Sequence, residues 1–336
     1  MVSKDKIKKA HDANYRESEE PAELPIVKGY DFDKFEINNE ASEMINSYSN
    51  IGMQASNLGK AIEIAKEMRK ENADIFLAYN SNMVSSGIRD IIRYLVKHKM
   101  VKALVTTTGG VEEDILKTFG NFYVGDFRAD GAELRKKGIN RIGNVFVPNN
   151  RYIEFEKMMH PFLKELLDEQ RNTGHVHTPS EFIHKLGLKV QDEKSIYYWA
   201  SRNNIPTFCP ALTDGSIGDM IYFFRESDKR NVDFKIDIAA DMNKLVNMVL
   251  DAKKTGVIIL GGGIIKHHIM NANLYRNGAD YTIYINTEIE EGGSDSGARP
   301  DEAVSWGKIK PGTKSVKVFC DATIAFPLLV AGAFRK

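Results

Sequence analysis

Ile75-Phe76-Leu77-Ala78-Tyr79, running directly into Asn80-Ser81-Asn82, decides the fold. The apolar run is too short for a helix and does not alternate, which predicts a strand buried on both faces that ends in a polar loop. Upstream, Ala61, Ile62, Ala65 and Met68 recur at helical spacing, so residues 57–71 are read as an amphipathic helix. Downstream, Ile88, Ile91, Ile92 and Leu95 mark another helix, and Ala103-Leu104-Val105 another strand, ending in Thr106-Thr107-Thr108-Gly109-Gly110. The alternation resumes at Val257-Ile258-Ile259-Leu260, which is followed by Gly261-Gly262-Gly263 and a helix carrying His267. Tyr281–Ile285 and Val316–Phe319 read as further strands, the latter leading through Asp321 into an apolar C-terminal helix. Strands alternating with helices predict an α/β fold: a doubly wound, mostly parallel sheet with helices on both faces. Ligands of such sheets bind at the carboxyl ends of the strands, where the strand order reverses. The polar and glycine clusters at 80–87, 106–113, 213–219, 261–267 and 286–308 all follow strands.

The composition narrows the class. The chain has 336 residues, 42% of them hydrophobic, with 46 basic and 46 acidic side chains and no net charge. That balance gives no global attraction to nucleic acid or to an anionic membrane. No apolar stretch approaches the roughly 20 residues of a spanning helix. The N-terminus has lysines but no apolar segment, and it carries Asp5, Asp12, Glu17, Glu19 and Glu20, which fits neither a secretory nor a mitochondrial leader. Cys209 and Cys320 both lie in apolar, strand-like runs and are expected to be buried thiols in a reducing, cytoplasmic setting. Residues 1–29 are charged and poor in apolar periodicity and read as an arm; residues 30–336 read as a single domain.

Several clusters bear chemistry. The loops at Thr107-Thr108-Gly109-Gly110 and Gly261-Gly262-Gly263 sit between strand and helix, where backbone N–H groups can cradle phosphate, or where glycine simply turns the chain. The acidic loop from Glu290 to Glu302 is either solvated surface or a carboxylate wall for a cationic ligand such as a polyamine; a metal site ranks below both, since Asp-x-Ser-Gly lacks the dense ligand spacing of an EF-hand. In Trp306-Gly307-Lys308, an extended backbone would put Trp306 and Lys308 on one face. There the indole could desolvate the amine and free it for nucleophilic attack; the alternative is a surface lysine beside a packed tryptophan. Of His267 and His268, adjacent on a helix, at most one can point into a site, and it would suit a general base. Asp214 and Asp219 add carboxylates at a strand end, where Asp214 or Ser216 could equally cap a helix. His175-Val176-His177 lies in a turn-like loop with no obvious third ligand and is read as surface, so no metal site is expected.

Together these runs resemble deoxyhypusine synthase. The matching stretches are Ser81-Asn82 with Ser85-Ser86-Gly87, Thr106 to Asp114, Pro210 to Ser216, Leu260 to Gly263 with Lys266-His267-His268, Gly293 to Lys308, and Asp321-Ala322 before Phe326-Pro327-Leu328. The resemblance covers about residues 28–336 and is most specific in the run ending at Lys308. It implies a Rossmann-like NAD site and an NAD-dependent transfer of the aminobutyl group of spermidine to a lysine of the hypusine-containing translation factor precursor, with release of 1,3-diaminopropane. It implies Lys308 as covalent nucleophile and His267 as general base and spermidine contact. Asp219, Asp295, Glu302 and Trp306 would bind spermidine. Ser81, Asn82, Ser85, Thr107, Thr108, Gly109, Glu113, Asp214, Gly262, Gly263, Thr287, Ser296, Asp321 and Ala322 would contact NAD. The family is a homotetramer, a dimer of dimers, with shared sites whose entrance the N-terminal arm can cover. Two positions depart from its animal members: Thr108 replaces alanine, and Gly292 replaces an aspartate that contacts NAD. Two other readings keep the same chemical residues: a homospermidine synthase that uses putrescine as acceptor, and an inactive regulatory paralogue. Retention of Lys308, His267 and Trp306 argues against the second.

Overall fold

The structure, a computed structural model, describes residues 2–20, 23, 45 and 48–335. The strands among them are β1 (Asp74–Tyr79), β2 (Ala103–Thr106), β3 (Tyr123–Val124), β4 (Ile139–Ile142), β5 (Val145–Pro148), β6 (Thr207–Phe208), β7 (Thr255–Leu260), β8 (Ala279–Asn286) and β9 (Ile309–Phe319). The main sheet runs β6-β2-β1-β7-β8-β9 with every pairing parallel. From β1 the chain moves outward through β2 to β6, then returns to the other side of β1 at β7 and continues outward to β9. The strand order therefore reverses between β1 and β7, and the loops after these two strands face each other across the crevice. Asn80 Oδ1, just past β1, accepts from the Gly262 N–H, just past β7, at 3.3 Å.

Both faces of the sheet are covered, as the non-alternating strands require. Leu77, Tyr79, Ile258 and Leu260 point into the core under the helices Met53–Lys70, Ile88–Lys97 and Ala322–Ala333. Phe76, Ala78, Val257 and Ile259, one residue out of phase, pack against the helices Ile238–Asp251 and Ile264–Leu274. A second, antiparallel sheet, β3-β5-β4, occupies the excursion between β2 and β6. Its strands have two to four residues, too short to leave a periodic signal. No helix among the described residues is long and apolar enough to cross a membrane.

Two expectations change. β9 begins at Ile309, not Val316, because it is an edge strand that can hold Pro311 and Gly312. Cys209 is buried, but Cys320 is only partly so. Within the arm, Lys4–Asn14 forms a helix and the segment rests on the body: His11 Nε2 lies 2.8 Å from Glu156, and the Tyr15 hydroxyl donates to Asp219 at 2.7 Å. The expected boundary at residue 29/30 lies outside the described residues.

Candidate active site

Lys308 is placed by a helix C-terminus. The short helix Pro300–Ser305 ends at Trp306, and Gly307 adopts φ +72°, the left-handed conformation that favours glycine. Gly307 N–H donates to the Val304 carbonyl and Lys308 N–H to the Ala303 carbonyl, both at 2.9 Å. This pair of reversed bonds is a Schellman motif. On its other side the Lys308 carbonyl accepts from Ala279 N–H at 3.0 Å, locking the residue to the start of β8. The segment is thus a tight turn and not the extended run expected from sequence. Trp306 and Lys308 still meet: the amine lies 5.6 Å from the indole centroid, within cation–π range. Trp306 is 65% exposed, so within one chain it offers a face to ligand but does not desolvate the lysine as expected.

Lys308 opens onto a cavity of about 340 Å³ that is also lined by His267, Tyr284, Asp295, Glu302 and Trp306. Asp295 Oδ2 and the Tyr284 hydroxyl are buried there without a hydrogen-bond partner. A buried carboxylate oxygen in that condition calls for a donor or a cation from a ligand. His267 starts the helix behind the glycine triplet and faces the cavity. His268 turns inward, where burial first and His267 second push its pKa down to about 4. Lys266 was not expected to matter. It is buried, lies 4.5 Å from the Tyr284 ring centre, and donates to the carbonyls of Asp295 and, at 3.0 Å, Ala298. Burial lowers its pKa. It pins the loop that carries Asp295 and Ser296.

A second cavity adjoins this loop. Of about 210 Å³, it lies at the carboxyl ends of β1, β7, β8 and β9 and is lined by Asn80, Gly262, Thr287, Ser296, Asp321 and Ala322. The glycines are required by close packing. A Cβ on Gly261 would lie 2.6 Å from Asn80 Oδ1, and one on Gly262 2.5 Å from Ser296. Gly263 has φ +64° and starts the next helix. Bare backbone at the reversal point of a parallel sheet, beside a helix N-terminus, fits the diphosphate of a dinucleotide.

A family model for deoxyhypusine synthase matches residues 43–333. The chain belongs to the deoxyhypusine synthase family. It is 49% identical to the probable deoxyhypusine synthase of Schizosaccharomyces pombe, with 97% of this chain and 99% of that protein aligned. It is 50% identical to the deoxyhypusine synthase of Neurospora crassa, over 92% of this chain and 91% of the relative. The crystal structure of an Entamoeba histolytica protein assigned as a deoxyhypusine synthase superposes with a TM-score of 0.66 at 35% identity, covering 92% of this chain and 96% of that one. Membership makes the chain an enzyme, a transferase.

The remaining positions expected from the resemblance form a third group, at the carboxyl ends of β1, β2 and β6. Ser81 N–H donates to Thr107 Oγ1 at 3.1 Å, and a Cβ on Gly109 would approach Ser81 Cβ to 2.7 Å. Ser85 donates to Glu113, which burial pushes up to about 8. Glu112 accepts from Ile217 N–H at 2.8 Å and is raised by burial to about 7. The buried Thr108 directs its hydroxyl to the Ala211 carbonyl, leaving only its backbone for a ligand. Asn82 and Asp214 are exposed. Asp219 lies in the first turn of the helix Ser216–Ser227, held by Tyr15. Neither Asp214 nor Asp219 lines the Lys308 cavity. A single chain thus unites Lys308, His267, Asp295, Glu302 and Trp306 but keeps Asp219 apart.

His175 is exposed as expected, but His177 is 3% exposed, and a third donor, Glu181, stands four residues on.

Proposed function

We propose that this chain transfers the aminobutyl group of spermidine, through an imine on Lys308, to a lysine of the hypusine-containing translation factor precursor, with NAD as cofactor. The observation that carries this is one cavity holding a backbone-locked lysine, a histidine, an exposed indole face and the two carboxylates Asp295 and Glu302. A polyamine is a chain of cations, and that wall is acidic and aromatic.

Asp295 and Glu302 anchor the amines, and Trp306 covers the chain between them. The chemistry NAD supplies when bound is removal of a hydride from the carbon beside the secondary amine of spermidine and its return at the end. His267 takes the proton from that amine nitrogen as the carbon–nitrogen bond becomes an imine. The neutral Lys308 amine adds to the imine carbon, the carbon–nitrogen bond to 1,3-diaminopropane breaks, and the aminobutyl group remains on Lys308 as an imine. The acceptor lysine repeats the exchange, and Lys308 leaves as a free amine. Two electrons leave and return, so the sequence is redox-neutral.

We further propose a homotetramer, a dimer of dimers, in which Asp219 and Asp214 serve a neighbouring subunit's cavity. Their distance from this chain's own Lys308 cavity supports it. The arm, residues 1–29, reaching Asp219 through Tyr15, supports a gating role at that entrance. The cytoplasm is the proposed location. Incubation of the purified chain with NAD and spermidine, offering precursor protein or putrescine, tests the acceptor. Modified precursor is expected; homospermidine as the main product would reassign the enzyme, and no turnover would indicate an inactive subunit.

A further inference from the structure

His175, His177 and Glu181 lie well away in sequence from every residue used above. The helix Pro179–Lys189 starts with a capping box: Thr178 caps it, and Glu181 accepts from Thr178 N–H at 3.0 Å. That bond fixes the Glu181 carboxylate over the loop carrying both histidines. His175 Nε2 is 2.9 Å from Glu181 Oε2, and His177 Nδ1 is 3.8 Å from the same oxygen. One donor atom from each of the three residues lies within 4.8 Å of the others. The loop is anchored, since the His177 carbonyl accepts from Asp237 N–H at 2.9 Å.

The second observation is His177 itself. Its side chain is 3% exposed, and neither ring nitrogen has a hydrogen-bond partner. A buried imidazole without partners is costly unless something absent from the chain satisfies it. Nε2 lies 3.4 Å from a Glu169 oxygen without making a hydrogen bond to it, and Glu169 is held by Lys185 at 2.7 Å. A histidine with one nitrogen toward a carboxylate and the other toward two further donors has the arrangement of a metal ligand with its outer carboxylate.

We propose that His175, His177 and Glu181 bind a divalent transition metal of the zinc class, with Glu169 orienting His177. Two imidazoles and a carboxylate suit zinc, and three protein ligands leave one position for water. Bonds of roughly 2.0–2.1 Å place tetrahedral donors about 3.3 Å apart, so the donors close by about 1.5 Å from their widest separation of 4.8 Å. The half-exposed His175 can supply that movement. The donors face a cavity of about 610 Å³ that admits the ion. Bound there, it staples the loop 174–178 to the helices Asn150–Thr173 and Pro179–Lys189.

The test uses the full-length protein stripped with chelator and titrated with Co²⁺. One ion per chain is expected, with the visible absorption of a low-coordinate site, displaced by Zn²⁺ and raising the melting temperature. The double variant His175→Asn, Glu181→Gln changes partly exposed side chains; with circular dichroism unchanged, it should lose the absorption and the thermal shift. Absence of Co²⁺ binding to the wild type, or binding undiminished in the folded double variant, overturns the proposal.

Discussion

The Lys308 N–H closes on the Ala303 carbonyl at 2.9 Å, across a glycine at φ +72°. Lys308 is therefore positioned by the end of a helix, and its aim depends on one backbone conformation. Gly307→Ala should cost about 1–2 kcal/mol, the penalty of a side chain in the left-handed region. The new Cβ would meet Leu274 Cδ1 at 3.4 Å, an ordinary contact, so backbone strain and not collision is the cause. Urea unfolding should show the modest loss, with turnover falling further than stability because the lysine is displaced.

Lys266 holds Asp295 and Ala298 by their carbonyls. Lys266→Met keeps the apolar stem but leaves those carbonyls unsatisfied, at a cost of about 1–3 kcal/mol. The loop carrying Asp295 and Ser296 should loosen, raising KM for spermidine and for NAD together. An unchanged KM for both would show that the loop holds without the ammonium.

Glu113 gives a pH signature. Burial raises its folded pKa from 4.5 to about 8, so between those values the folded state binds more protons than the unfolded state. The stability this group contributes is full below 4.5 and is lost as pH rises through about 8. The stability of wild type relative to Glu113→Gln should therefore fall steadily across that window. A flat difference in denaturation midpoints would mean that Glu113 is ionised throughout.

Gly292 is exposed, and a Cβ there meets nothing within 4 Å. An aspartate at this position is sterically free. If it recovers one hydrogen bond to NAD, binding should strengthen by about 0.5–1.5 kcal/mol, read as a lower Kd in cofactor titration with the melting temperature of the free protein unchanged.

The parallel sheet was legible because Ile75–Tyr79, Val257–Leu260 and Tyr281–Ile285 are apolar runs bounded by turn residues, and burial on both faces leaves that pattern. The clusters behind them were legible because loops at strand ends hold the polar residues. The turn at Trp306–Lys308 was misjudged although its signal was present: a glycine just beyond a short helix beginning at Pro300 is a C-terminal stop. From sequence, Lys266 is given no role and His177 is read as surface because charged and imidazole side chains are usually exposed, and only tertiary packing buries these two. Asp219 and Lys308 share no local sequence pattern, since one stands in the helix Ser216–Ser227 and the other in the turn before β9.

The central claim is covalent chemistry at Lys308. The purified enzyme, incubated with NAD and spermidine without acceptor and then reduced with borohydride, should carry an aminobutyl adduct on the peptide containing Lys308 and on no other lysine. An unmodified Lys308 peptide, with NAD and spermidine both shown to bind, would contradict it.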